Sequence, residues 1–218
     1  MSAQSRVVRA ALSGAVLLLV FQGLPHVPET LQFTRMSYAQ GAFWQLLTSQ
    51  LVHLNWLHAA VNALALVLSL ICWHVWISLR QQMIALAGGM VGVALVLALD
   101  ADCAYYAGLS GALHGLWAGN AVMLIAMAMG TNTSGLCKLT TRTPFFLKVQ
   151  HIGLSVLFIL AFKLFTENAA APQASLGWLD LSTYRPAHWA GLAGGAGLVS
   201  AALLFCRLAA KRYQGNQR

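Results

Sequence analysis

The sequence predicts an all-α, polytopic membrane protein, a single domain over residues 1–218 with six transmembrane helices and both chain ends on the cytoplasmic side. Three observations carry that expectation. Of the 218 residues, 59% are hydrophobic and only 8% are charged, against about 25% charged in an ordinary soluble domain. Six stretches (7–24, 56–78, 82–99, 110–130, 149–166 and 186–208) approach or exceed the roughly 20 mostly apolar residues that cross a bilayer. With the chain ends inside, ten of the thirteen basic residues fall in inner segments, among them Arg6, Arg9, Arg80, Lys138, Arg142 and Arg207. That asymmetry follows the positive-inside rule.

The first stretch, "RVVRAALSGAVLLLVFQG", also has the basic start and apolar centre of a signal peptide. No A-x-A cleavage site follows it, so a retained helix is expected. The outer segment 25–55 contains "AFWQLLTSQLVHL", whose amphipathic pattern and Trp44 suit a helix lying at the interface. The second stretch opens on "HLNWLHAAVNALAL" and the fourth on "GLSGALHG". The connection 130–144, "GTNTSGLCKLTTRTP", reads as a polar cytoplasmic loop, and 168–186 reads as an irregular outer loop. Lys163, near the outer end of the fifth stretch, is expected to snorkel to the interface. The sixth stretch opens on "RPAHWAGLAGG".

The net charge of +8 is spread over the ends of apolar runs and forms no stripe, so no nucleic-acid partner is expected. The four cysteines, Cys72, Cys103, Cys137 and Cys206, have no C-x-x-C spacing and sit at different depths. A disulfide framework or thiolate metal site is not predicted.

Ionisable groups inside a bilayer are costly and face a protein interior or a water-filled cavity, so their depth is informative. The second, fourth and sixth stretches all start at the outer side, which brings His53, His58, Asn62, Ser110 and His188 to a common level. His74 is 16 residues beyond His58, ~24 Å along a helix, and cannot join them. His26 and His151 fall in a loop and at the cytoplasmic side. On the fourth helix Gly111, Gly115 and Gly119 form a small-residue packing stripe beside Ser110, and on the sixth Gly191 and Gly195 accompany His188. Packing those stripes together would bring Ser110 toward His188.

A serine hydroxyl becomes a competent nucleophile when a base takes its proton, and histidine is the usual base. Ser110 and His188 can supply that pair, while His58 and Asn62, spaced i, i+4, can donate hydrogen bonds to an oxyanion beside the Ser110 N–H. All five acidic residues, Glu29, Asp100, Asp102, Glu167 and Asp180, lie in outer segments and none in the proposed helices. The expectation is therefore a dyad without a carboxylate.

These residues resemble the rhomboid intramembrane serine proteases. The resemblance lies in the H-x4-H-x3-N of His53, His58 and Asn62, the G-x-S-G of Gly108, Ser110 and Gly111, and the A-H-x2-G-x3-G of Ala187, His188, Gly191 and Gly195. These motifs occur in the family's order between residues 43 and 195. "FWQLLTSQLVHLNWLH" and "GLSGALHG" look most like the rhombosortase subfamily. The resemblance implies a rhomboid-like bundle, Ser110 as nucleophile, His188 as general base, and His58 and Asn62 as oxyanion-hole donors. It further implies a bacterial inner-membrane location with the site open to the periplasm. Its substrates would be exported proteins with a C-terminal transmembrane tail, cleaved near a Gly-Gly-containing segment, and no cofactor or metal is expected.

Two positions depart from the family pattern. His114 stands where typical rhomboids have an aromatic residue that stacks on the histidine, leaving a stacking role and a second-base role both open. Gln45 stands where many have arginine. Gly108 and His53 are expected to support the site, His53 turned away and held by a structural hydrogen bond. Two other function classes are compatible with the same residues: a histidine-based haem or metal-binding membrane protein using His53, His58, His114 and His188, and a non-catalytic rhomboid-like scaffold.

Overall fold

A computed structural model describes residues 2–129, 145–169 and 184–215 of the chain. The polar loop expected over 130–144, and most of the irregular one expected over 168–186, lie outside the described residues. The described chain is an all-α polytopic bundle with six helices long and apolar enough to cross a membrane. These are α1 (Ala3–Gly23), α5 (Trp56–Trp73), α6 (Leu79–Leu99), α7 (Ser110–Ala128), α8 (Phe145–Ala169) and α9 (Arg185–Gly215). Between α1 and α5 lie three short helices, α2 (Val27–Leu31), α3 (Arg35–Ala39) and α4 (Gln45–Thr48). A two-residue ribbon pairs β1 (Phe33–Thr34) antiparallel to β2 (Tyr105–Tyr106), with Phe33 opposite Tyr106.

The spanning helices differ in who faces lipid. Twelve of the nineteen residues of α7 are buried, making it the central post against which α6, α8 and α9 pack. On α8, by contrast, Phe158, Ile159, Phe162 and Phe165 are exposed, as are Leu12 and Val16 on α1. Apolar surface on that scale is stable against hydrocarbon and not against water. The protein is thus a multi-pass membrane protein in a lipid bilayer. α1 packs on α5 through Val7, Ala11, Ala15 and Leu18 against Ala63, Leu66 and Leu70.

Some helix ends depart from the apolar pattern because local hydrogen bonding sets them. α5 stops at Trp73, five residues before the expected 78. There Gln82 donates its amide to the carbonyls of Leu70 and Ile77, and Gln81 accepts from the backbone N–H of Ser78 to start α6. These bonds satisfy groups that a continuing helix would have used. The apolar count also ends the fifth helix too early: α8 runs to Ala169, not 166, and so contains Glu167.

The interfacial helix expected over 42–54 is reduced to the four residues of α4 followed by turns. Its polar side chains are used inward. Gln45 is buried, accepting from Thr34 N and donating to Thr30 O, and Thr48 donates to Leu31 O. Across the loop, the Arg35 guanidinium donates to the carbonyls of Leu97, Asp100 and Cys103. A cation on the last carbonyls of α6 also complements the negative end of its dipole.

α6, α7 and α9 meet at backbone distance. A Cβ added at Gly191 would lie 1.9 Å from the Gly111 oxygen, one at Gly195 2.0 Å from the Gly115 oxygen, and one at Gly119 2.9 Å from the Gly195 oxygen. α6 joins the same contact through Gly88, Gly89 and Gly92, which lie beyond the two stripes expected: a Cβ at Gly92 would meet the Ala190 oxygen at 2.1 Å. Without a hydrophobic drive between helices inside lipid, such close contact is what van der Waals packing and weak Cα–H···O contacts require.

Candidate functional site

The ends of α1, α6 and α8 and the starts of α5, α7 and α9 converge at one end of the bundle. Asn55 caps α5 by accepting from the His58 N–H at 2.8 Å, which fixes His58 in the first turn. α7 begins at Ser110, so the Ser110 N–H is one of the helix-start donors without an intrahelical partner. α9 begins at Arg185 and buries His188, 3% exposed, in its first turn.

The two glycine stripes bring Ser110 and His188 together, and the Ser110 hydroxyl donates to His188 Nε2 at 2.9 Å. A cleft of about 330 Å³ opens on this pair and is also lined by His58, Tyr106 and Tyr184. His58 Nδ1 is buried with no hydrogen-bond partner among the described residues, leaving Nε2 as the nitrogen available to the cleft. Asn62 is buried one turn further along α5, where its amide donates to the His58 carbonyl at 3.0 Å.

Gly108 is held on three sides. Its N–H donates to the Ser49 oxygen, its carbonyl accepts from the Tyr106 hydroxyl at 2.9 Å, and its φ is +137°. A Cβ there would lie 2.8 Å from His58 Cε1, so both the backbone angle and the imidazole require glycine. Tyr106 is buried, and that burial pushes its phenol above the ordinary range. At the start of α9 the Tyr184 hydroxyl donates to the Asp100 carboxylate, holding that carboxyl below its usual range together with the Asp102 N–H.

His114 stacks on His188, with ring centroids 4.3 Å apart and planes 22° apart. Its Nδ1–H donates to the Ser110 carbonyl at 2.7 Å, and its Nε2 accepts from Lys163 Nζ at 3.1 Å. Lys163 thus reaches His114 at the site while 47% of its side chain stays exposed.

The expectation of no carboxylate among the helices is overturned. Glu167, in the last turn of α8, accepts from His188 Nδ1–H at 3.0 Å and also pairs with Lys163. Its signal in the sequence is the i, i+4 spacing of Lys163 and Glu167, the spacing of an ion pair on one helix face.

His53 also departs from expectation. It precedes α5 in non-helical backbone, so helical spacing does not turn it away. Its ring meets His58 edge-on at 5.1 Å, and both its ring nitrogens lack a hydrogen-bond partner among the described residues. Burial, reinforced by His58, lowers its pKa to about 3. The unfolded chain takes up a proton near pH 6.5 while the folded protein does not until about pH 3, so this contribution to stability is complete above 6.5 and declines as pH falls. In detergent the folding free energy should drop by up to ~1.4 kcal/mol per pH unit across that window. His53→Gln should flatten the slope, and an unchanged slope would count against a buried neutral imidazole.

Of the four histidines named above for a metal or haem, His114 and His188 have both ring nitrogens engaged by Ser110, Lys163 and Glu167. No group of three or more His, Cys, Asp or Glu side chains among the described residues is arranged to hold a metal ion. Neither a protein-family model nor a curated protein matches the chain.

Proposed function

We propose that the chain is a rhomboid-type intramembrane serine endopeptidase, and the observation that carries this reading is the 2.9 Å hydrogen bond from the Ser110 hydroxyl to His188 Nε2. The proton is already directed at the base, and the nucleophile stands at the start of a helix whose dipole favours negative charge. As Ser110 Oγ attacks a peptide carbonyl, its proton passes to His188 Nε2 and the carbonyl electron pair moves onto oxygen. The Ser110 N–H, His58 Nε2–H and the second amide proton of Asn62 are the proposed donors to that oxyanion, each typically worth roughly 2.7 to 4 kcal/mol of barrier. His188 then protonates the departing amine, and water or another nucleophile releases the acyl group. No metal or organic cofactor enters this scheme.

The motif resemblance supplies the substrate class: exported proteins held by a C-terminal transmembrane tail and cut near a Gly-Gly-containing segment. The basic ends of the helices supply the orientation, with the cleft toward the periplasm and the Arg6, Arg80 and Arg207 end in the cytoplasm of a bacterial inner membrane.

A fluorophosphonate probe on the purified, detergent-solubilised protein tests the chemistry without a known substrate. Covalent labelling is expected on Ser110, located by peptide mass spectrometry, and lost in His188→Ala. Absence of labelling on Ser110 in well-folded wild-type protein would refute a serine nucleophile.

A further inference from the structure

Beyond the Ser110–His188 pair, the side chains close into a ring. Ser110 Oγ–H donates to His188 Nε2, His188 Nδ1–H to Glu167 Oε2 and Lys163 Nζ to Glu167 Oε1. Lys163 Nζ also donates to His114 Nε2, and His114 Nδ1–H returns to the Ser110 carbonyl. We propose that Glu167 is the positioning residue of this site, making it a Ser–His–Glu arrangement in which Lys163 and His114 hold the geometry. This rests on the serine-endopeptidase reading given above.

An i, i+4 lysine–glutamate pair at a helix end is by itself a weak, solvent-screened contact. What distinguishes this one is the division of labour at the carboxylate. One oxygen meets Lys163, and the other meets the Nδ1 of a histidine whose side chain is only 4% exposed. That bond places the imidazole proton on Nδ1 and leaves Nε2 as the acceptor facing Ser110. When His188 takes the serine proton it becomes an imidazolium, and the adjacent Glu167 carboxylate offsets the new charge where solvent is scarce. The Nδ1 proton stays on His188, and Glu167 remains a carboxylate throughout.

Lys163 performs two tasks. It fixes the carboxylate rotamer, and by donating to His114 Nε2 it keeps the His114 proton on Nδ1. His114 then has no free lone pair for the Ser110 proton, so it acts as a stacked plate against His188 and not as a second base. The alternatives left open by the sequence thereby separate on hydrogen-bond direction.

The test is steady-state cleavage of a tail-anchored reporter by reconstituted full-length protein. Glu167→Ala should lower kcat on the order of 10²-fold with KM within about twofold. That is less than the ~10⁴-fold loss for an enclosed triad acid, because Glu167 keeps 26% of its side-chain surface in solvent. Glu167→Gln, nearly the same shape but uncharged, should fall with the alanine variant, and Glu167→Asp should recover part of the rate. Where Glu167→Ala folds poorly, the downfield proton resonance of the His188 Nδ1–H in ¹⁵N-histidine-labelled protein gives a second reading. It should be present in wild type and shifted upfield or lost in Glu167→Gln. A Glu167→Gln variant with wild-type kcat and resonance, in protein still labelled on Ser110, overturns the role of Glu167. Loss of Ser110 labelling in wild type overturns the endopeptidase reading instead.

Discussion

Ser110→Ala should leave a tail-anchored reporter uncleaved under conditions in which the wild-type protein processes it fully. The expected loss is on the order of 10⁶-fold in kcat, the scale seen when the nucleophile of a serine hydrolase is removed, which takes processing below detection. The size of the effect follows from where the hydroxyl sits. Among the described residues that line the cleft, it is the hydroxyl hydrogen-bonded to His188, placed both to attack a carbonyl and to hand over its proton, and neither Tyr106 nor Tyr184 can replace it. The Tyr106 hydroxyl is committed to the Gly108 carbonyl and that of Tyr184 to Asp100. The substitution costs little structurally, because it removes one hydroxyl at a helix start and leaves a single imidazole nitrogen without its donor, about 1–3 kcal/mol. A thermal midpoint lowered by no more than that cost allows, together with no cleavage, would therefore assign the loss to chemistry. Cleavage by the alanine protein at even a tenth of the wild-type rate would remove Ser110 from the mechanism.

The parts of this arrangement were legible to different degrees. Six spans are readable because bilayer crossing is a constraint on composition, and six long apolar helices are present among the described residues. The meeting of α7 and α9 is readable because glycines four residues apart leave one helix face bare, and two bare faces can approach closely. The α6 glycines escaped that reading because Gly88, Gly89 and Gly92 mix two helix faces, one toward α7 and one toward α9. Glu167 escaped because apolar run length places a helix end where lipid contact stops, whereas α8 continues one further turn and carries the carboxylate back over His188. The outer loop is the least readable part. Its order comes from side-chain bonds to distant backbone, Arg35 to Leu97 and Gln50 to Met90, and no local periodicity records such pairs.

Gly191→Ala should disable the protein through packing alone. A methyl there would lie 1.9 Å from the Gly111 carbonyl oxygen and 2.5 Å from its carbon, where a contact under about 3.0 Å forces movement. The obstacle is backbone on a buried helix, not the end of a flexible side chain, so α9 must retreat from α7 by about 1 Å. That shift stretches the 2.9 Å Ser110–His188 hydrogen bond beyond useful range, and a misplacement of this size costs roughly 10²-fold in rate. Overpacking a close contact adds about 1–3 kcal/mol of destabilisation, visible as a lowered thermal midpoint in detergent. Gly197 supplies the matched control on the same helix: a Cβ there meets nothing within 4 Å. Gly197→Ala should keep full activity and gain up to ~1 kcal/mol from helix propensity. If the two alanine variants behave alike, the α7–α9 backbone contact does not set the Ser110–His188 distance.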